Sequence, residues 1–265
     1  MRSATTGGYM QRNRTLCALL VGCMAIGVAA CAAGSKRAWT TVDLATELAN
    51  PTRPQMDRDR DSDRKPAELM TFLGVEKGMT ALDVIAAGGY MTDVLATAVG
   101  PTGKVYSQNP PAFLRFQNGA YDKALATRLA NNRLPQVVRV DADLPASAAI
   151  PAGTVDVAVT AMNLHDIYNR DAAAGQKFLN DVYTTLKPGG VFGVIDHVGS
   201  VGGDNQKLHR MPKSIAIDGA KAAGFVVEAE SNALAHPNDD HTKSVFDSTL
   251  RGKTDQFVLK LRKPQ

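Results

Sequence analysis

Three side chains with catalytic potential stand close together at Asn163, His165 and Asp166. They follow an apolar run at residues 155–160 that predicts a buried strand. Histidine changes charge near neutral pH, so His165 is a candidate general base, with Asp166 or Asn163 orienting its ring. The alternative is that His165 caps the following loop or helix and has only a structural role.

Asp196 and His197 end the next predicted strand and raise the question of a metal site. Neighbouring parallel strands lie about 5 Å apart, so these groups would join His165 and Asp166 in a cluster of nitrogen and oxygen donors. The simpler interpretation, which we favour, is that they rim a pocket that holds no metal. The histidines and carboxylates of loop 236–241 likewise fit a turn, because the Pro-Asn pair within it favours chain reversal.

A ligand-binding turn is predicted at residues 82–90, which read Leu-Asp-Val-Ile-Ala-Ala-Gly-Gly-Tyr. The run is apolar apart from Asp83, and the small side chains of residues 86–89 let the backbone approach a bound molecule closely. A helical pattern follows, and the N-terminus of a helix offers unpaired N–H groups to a carboxylate. We therefore expect a ligand at this turn.

Strand and helix patterns alternate along most of the chain. Strands are predicted at residues 80–85, 104–107, 137–141, 155–160, 191–196, 225–230 and 256–261, and helices at 66–73, 91–99, 120–130, 172–186 and 214–223. Short apolar strands separated by helices predict a parallel sheet covered on both faces, so the fold class is α/β. Such sheets bind ligands at the carboxyl ends of their strands.

A second landmark is the stretch 186–190, which reads Leu-Lys-Pro-Gly-Gly and precedes a buried strand. Together with the turn at 82–90, it resembles the class I S-adenosylmethionine-dependent methyltransferases, and among them the exported predicted methyltransferases. The resemblance runs from about Arg58 to Pro264. It implies a Rossmann-like, mostly parallel seven-stranded sheet with helices on both faces and a C-terminal antiparallel hairpin.

The resemblance also implies which residues hold the cofactor S-adenosylmethionine. Asp83 would orient the turn and the methionine end of the cofactor, and the end of the third strand would lie near the adenine. The residues so assigned are Asp83, Ala86, Ala87, Gly88, Gly89, Tyr90, Gln108, Asn109, Asp141, Ala142, Asp143 and Asn163, with His165 and Asp166 as catalytic residues. Methyl transfer from a sulfonium is a direct displacement, which needs positioning and a base rather than a metal.

Two departures from the family pattern fall on this site. Ile85 and Ala87 stand where the first two glycines of the turn are usual, so Ile85 must point into the sheet core. Gln108 and Asn109 stand where an acidic residue usually accepts both ribose hydroxyls, and an amide lacks the charge that strengthens such bonds. We therefore expect weaker binding of S-adenosylmethionine, or none.

The first 30 residues predict an export signal. Arg2, Arg12 and Arg14 occur there without an acidic residue, followed by an apolar stretch too short for a comfortable membrane span. Small residues directly before Cys31 resemble the lipobox of bacterial lipoproteins, which implies lipidation of Cys31 and a lipid anchor at the periplasmic face of the cell envelope. The alternatives are a plain cleaved signal, or a cytosolic protein with a misassigned start and Met56 as the rival start.

These features divide the chain into a signal at 1–30, a tether and lead-in at 31–54, and a methyltransferase-like domain at 55–265. Because the signal holds three arginines and no acid, its removal lowers the formal net charge from +4 to +1. The arginines of residues 58–65 alternate with aspartates and largely neutralise one another. Nucleic acid is therefore not an expected partner, since phosphate binding needs a dense cationic patch.

The sequence favours an S-adenosylmethionine-dependent methyltransferase that acts on a small molecule or an envelope component. The alternative is a non-catalytic ligand-binding lipoprotein that keeps the fold with a degenerate cofactor site. None of the predicted strands is followed by a dinucleotide-binding, nucleotide-phosphate or serine-hydrolase motif, so the sequence does not favour these three functions.

Overall fold

The computed structural model describes residues 38–265, in which seven strands form one sheet in the order β3-β2-β1-β4-β5-β7-β6. The strands are β1 Thr80–Val84, β2 Lys104–Gln108, β3 Val137–Val140, β4 Val155–Ala161, β5 Leu186–His197, β6 Val226–Ser231 and β7 Gln256–Arg262. Strands β1 to β5 pair in parallel, and β7 pairs antiparallel with β5 and β6. The predicted fold class, mostly parallel sheet and C-terminal hairpin are confirmed. The predicted signal at 1–30 and the lipidation site Cys31 lie outside the described residues.

Helices cover both faces of the sheet. They are α1 Thr41–Leu48, α2 Gln55–Arg58, α3 Asp61–Arg64, α4 Pro66–Leu73, α5 Tyr90–Val99, α6 Pro111–Leu114, α7 Phe116–Leu129, α8 Leu164–Arg170, α9 Ala172–Thr185, α10 Asn205–Leu208 and α11 Lys213–Ala222. Ala81 and Val157 pack in a buried cluster with α1, α4 and α5, whereas their neighbours Leu82 and Ala158 pack in a second cluster with α8, α9 and α11. No helix within residues 38–265 has both the length and the apolar character needed to cross a membrane.

Helix α1 lies in the stretch that the sequence assigned to the tether and lead-in. Thr40 caps it by accepting a hydrogen bond from the Asp43 N–H, and Leu44 and Leu48 form one apolar face that is buried in the core. The indole N–H of Trp39 donates to the Ala98 carbonyl at 2.8 Å. This part of the lead-in therefore packs as part of the folded unit.

Strand β5 begins earlier than the sequence predicts. Leu186 pairs with Val155 and Val191 pairs with Val157, so the residues between Leu186 and Val191 form a bulge within one strand. The Lys-Pro-Gly-Gly stretch, which the sequence places before the strand, lies within it at this bulge. Gly189 has a φ of 75° at this bulge, which glycine adopts without strain.

Candidate functional site

The turn after β1 has the backbone of a glycine-rich loop, although two of its key residues are not glycine. Ile85, Ala87 and Gly89 have φ angles of 56°, 50° and 83°. A non-glycine residue in this left-handed region costs about 1–2 kcal/mol, and the conformation is rarest for a β-branched side chain such as that of Ile85. The surroundings of the turn, rather than its own residues, therefore impose its conformation.

Steric contacts explain two positions of the turn. The Ile85 side chain is buried in the same cluster as Leu82, as predicted, although it also borders the cavity described below. At Gly89, a Cβ atom would lie 2.8 Å from Leu125 Cδ1 and 2.9 Å from Arg128 Cδ, so a larger residue would force these side chains to shift. Arg128 also holds the turn, because its Nε donates to the Gly88 carbonyl at 2.9 Å.

Gln108 and Asn109 fix the turn after β1 through their side-chain amides. Gln108 Oε1 accepts from the Ile85 N–H at 3.2 Å, while its Nε2 donates to the Ala142 carbonyl at 2.7 Å. Asn109 Oδ1 accepts from the Ala87 N–H at 2.8 Å, and its Nδ2 donates to the Ala87 carbonyl at 3.3 Å. Both side chains were assigned to cofactor contacts from the sequence. In the structure they are buried and bonded to the backbone instead.

A cavity of about 500 Å³ opens at the carboxyl ends of β1 and β4. This is the point where the strand order reverses, the usual place for ligands in a sheet of this kind. Its volume lies within the range of about 300–1,000 Å³ that is typical of ligand pockets. Among the predicted cofactor-binding residues, the cavity is lined by Asp83, Ala86, Ala87, Gly88, Tyr90 and Asn163, and not by Gly89, Gln108, Asn109, Asp141, Ala142 and Asp143.

Asp83 places a buried carboxyl group at this cavity. Its Oδ2 accepts from the Thr92 hydroxyl at 2.6 Å, and that hydroxyl lies 2.8 Å from the Ser107 hydroxyl. Burial, partly opposed by the Thr92 hydrogen bonds, raises the pKa of Asp83 to about 7. A cation bound in the cavity would favour the ionised carboxylate.

Two arginines of the cavity were not singled out from the sequence. Arg60 and Arg64 reach it from the segment of alternating charges, where the sequence predicted mutual neutralisation. Within residues 38–265 neither guanidinium donates a hydrogen bond to a carboxylate; Arg64 lies over the Tyr90 ring at 4.6 Å, and burial lowers its pKa. The aspartates have other partners: Tyr90 donates to Asp61 at 2.7 Å, and Asp57 pairs with Arg128, with Arg60 Nη1 farther away at 4.0 Å. The spacing of charges in the sequence does not predict that Arg60 and Arg64 line the cavity, because their positions depend on how α2 and α3 fold over the turn.

The residues of the predicted adenine contact after β3 do not line this cavity. The Asp141 carboxylate accepts from Arg139 Nε at 2.9 and 3.0 Å, and Asp143 is exposed. Ala142 contributes its carbonyl to the Gln108 amide. The acidic residues at this strand end therefore do not reach the ligand space that the structure shows.

His165 is held between two carboxylates and does not line the cavity. Its Nδ1 lies 2.6 Å from Asp196 Oδ1, and its Nε2 lies 3.2 Å from Asp166 Oδ1. Burial alone lowers the pKa of His165, but the hydrogen bonds that its ring donates to Asp166 and Asp196 outweigh burial and raise the pKa to about 9. A protonated imidazole with both nitrogens engaged is not a general base for a substrate in the cavity. Asp166, the other predicted catalytic residue, is half exposed and also pairs with His209 at 2.9 Å.

His197 is a neutral neighbour of this cluster. Its ring centroid lies 5.8 Å from that of His165, and burial lowers its pKa to about 4. It does not join His165, Asp166 and Asp196 in the four-residue arrangement that the sequence raised. The structure instead brings His165 and Asp166 together with His209, which comes from a later loop.

Loop 236–241 is anchored by a buried ion pair. The fully buried Arg210 donates to both carboxylate oxygens of Asp239, at 2.9 and 3.0 Å. Asp239 also accepts from the backbone N–H groups of His241 and Asp255. The predicted turn at 236–241 is therefore a packed structural loop, held in place by Arg210.

The sheet order, the helices on both faces and the cavity beyond β1 define a Rossmann-like α/β protein. Solved structures with this fold include methyltransferases: an S-adenosylmethionine-dependent methyltransferase from Aquifex aeolicus is 17% identical, with a TM-score of 0.55 over 85% of this chain and 99% of that one. A putative sarcosine dimethylglycine methyltransferase from Galdieria sulphuraria is 14% identical, with a TM-score of 0.54 over 81% and 91%. The [4+2]-cyclase SpnF is 18% identical, with a TM-score of 0.57 over 82% and 85%.

These comparisons establish the fold. The chain has the Rossmann-like fold of class I methyltransferases, as the sequence predicted. No family model and no curated protein matches it. A fold shared at such low identity does not fix the reaction, so the function has to be argued from the site.

Proposed function

We propose that this protein is an S-adenosylmethionine-dependent methyltransferase that acts on a small molecule or a component of the cell envelope. The observation that carries the proposal is the cavity of about 500 Å³ next to the turn after β1, with the buried carboxyl group of Asp83 in its wall. The presence of S-adenosylmethionine-dependent methyltransferases among the structures that share the fold supports it.

The charges around the cavity suit a ligand that carries both an ammonium and a carboxylate group. Asp83 favours a cation, whereas Arg60 and Arg64 favour an anion, and all three line the same cavity. The amino-acid part of S-adenosylmethionine carries both charges. Asp83 and the two arginines would hold that part, and the turn at residues 85–89 would lie against it. The bound cofactor supplies an electrophilic methyl group, and the chain would position donor and acceptor in line.

A second candidate function is ligand binding without methyl transfer. Gln108 and Asn109 use their amides on the backbone, so no acidic side chain at the end of β2 accepts ribose hydroxyls. His165 offers no free base to the cavity. A protein of this fold that is named a [4+2]-cyclase also agrees with a role other than methyl transfer.

Calorimetry on the full chain separates the two functions. We expect S-adenosylmethionine and S-adenosylhomocysteine to bind more tightly than methylthioadenosine, which lacks the amino-acid part. Asp83→Ala and Arg64→Gln should weaken binding of the first two ligands and leave methylthioadenosine unaffected. Arg139→Gln is the matched control, because Arg139 pairs with Asp141 away from the cavity. The absence of heat with all three ligands at millimolar concentration would exclude the transferase.

We also propose, from the sequence, that the protein is exported and anchored through a lipid on Cys31. Mass spectrometry of the native N-terminus tests this proposal directly. A lipidated N-terminal Cys31 is the expected result. An unmodified N-terminus at Met1 or Met56 would place the protein in the cytosol, where S-adenosylmethionine is made.

A further inference from the structure

Three side chains with metal-binding atoms converge at the surface, apart from the cavity. His165 and Asp166 lie in the first turn of α8, and His209 directly follows α10. One ligand atom from each lies within 4.8 Å of those from the other two. We infer that His165, Asp166 and His209 form a binding site for a divalent transition-metal ion of the Zn²⁺ type.

The donor atoms have spacings close to those of a metal site. Asp166 Oδ1 lies 3.2 Å from His165 Nε2 and 2.9 Å from His209 Nδ1. Two ligands about 2.1 Å from a tetrahedral Zn²⁺ ion are about 3.4 Å apart, so small shifts would admit the ion in place of the proton that His165 Nε2 shares with Asp166, and binding would release that proton. Two histidines and one carboxylate are a common ligand set for Zn²⁺ and other first-row metals.

Asp196 supports the His165 ring from behind. Its Oδ1 lies 2.6 Å from His165 Nδ1, and its Oδ2 accepts from the His165 backbone N–H at 2.9 Å. This fully buried carboxylate directs Nε2 of His165 towards Asp166 and His209. A metal-binding histidine usually donates the N–H of its other ring nitrogen to such a supporting group, often a carboxylate. An ordinary surface ion pair does not need this buried partner.

The segment that carries His209 is fixed to the same helix. Asn169 Nδ2, on α8, donates to the carbonyls of Asn205 and Arg210 at 3.1 and 2.8 Å, on either side of His209. The Phe246 ring packs against the His209 imidazole, with centroids 4.8 Å apart. Asp166 is 52% exposed and His209 is 36% exposed, so solvent has access and water would complete the coordination.

Titration of Zn²⁺ into the chelator-treated full chain tests the site. We expect one ion per chain, and loss of binding in His209→Ala and in Asp166→Asn. Asp196→Asn should weaken binding by about 10–100-fold, as loss of a supporting carboxylate does at other metal sites. His236→Ala is the control, because its ring forms no hydrogen bond within the described residues, and it should bind like the wild type.

A second set of measurements separates this site from the cysteines at residues 17, 23 and 31. A chain with Cys17, Cys23 and Cys31 all changed to Ser should retain binding. X-ray absorption on the wild-type chain with bound Zn²⁺ should show nitrogen and oxygen ligands without a Zn–S distance of about 2.3 Å. The inference is overturned if the wild type takes up no Zn²⁺, if the triple Ser chain loses it, or if both His209→Ala and Asp166→Asn retain it. None of these results depends on S-adenosylmethionine binding, so the two proposals stand or fall separately.

Discussion

Asn109 faces Ala87 with both halves of its amide, accepting from the Ala87 N–H at 2.8 Å and donating to the Ala87 carbonyl at 3.3 Å. These two hydrogen bonds satisfy the backbone of Ala87, which has a φ of 50° and lies outside regular secondary structure. A side chain at the end of β2 therefore sets the backbone of the turn after β1. This turn forms one wall of the cavity.

Asn109→Ala should leave both partly buried backbone groups of Ala87 without their hydrogen-bond partner in the protein. We expect the free energy of unfolding to fall by about 1–3 kcal/mol, as measured by urea denaturation. Asn238→Ala is the control, since Asn238 is exposed, and it should unfold like the wild type. Equal stability of the two variants would contradict the role given to Asn109.

Ala87→Gly should raise the free energy of unfolding by up to about 1 kcal/mol, because glycine adopts a φ of 50° without strain. Ala45→Gly, at an exposed position within α1, should lower the same quantity by about 1 kcal/mol. Thermal or urea unfolding of both variants measures the contrast. If both substitutions destabilise the protein, the turn is not strained at Ala87.

Asp83→Asn should change how stability depends on pH. The pKa of Asp83 is raised to about 7 in the folded protein, so the folded state favours the neutral carboxyl group. Its contribution is fully present below the unfolded pKa of about 4 and is lost as pH rises through the folded value. The wild type should therefore lose up to about 4 kcal/mol relative to Asp83→Asn between pH 4 and pH 8.

Urea unfolding at several pH values measures this difference for Asp83. Asp143→Asn removes a carboxylate that is exposed and outside the cavity, so its pH profile should follow that of the wild type. Parallel profiles for the wild type and Asp83→Asn would mean that the carboxyl group is not desolvated as the structure indicates.

Arg210→Met should be among the most damaging single substitutions. It leaves the buried Asp239 carboxylate without its cation, which costs about 3–5 kcal/mol at comparable sites. Arg139→Met breaks a partly exposed pair with Asp141, where losses stay below about 1 kcal/mol. Urea denaturation compares the two substitutions, and similar losses would show that the pair with Asp239 is not buried in solution.

The sequence predicted the fold well because the pattern of apolar and polar residues within each segment is enough to indicate a strand or a helix there. The buried strands β1, β2 and β4 and the small residues after β1 are visible in this way. The positions of Arg60, Arg64 and His209 are not, because they result from the packing of segments that are distant in sequence. The same limit explains Gln108 and Asn109: residue type identified them as polar strand ends, but only the folded loops show that their amides bind backbone.

Helix α1 bears on where translation can begin. Leu44 and Leu48 fill space against α4 and α5, and the Arg53 guanidinium donates to the Leu48 carbonyl at 2.7 Å. A polypeptide initiated at Met56 would lack all three residues and would expose the apolar surface that they cover. Ribosomes starting there would thus make a shortened product prone to aggregation and proteolysis.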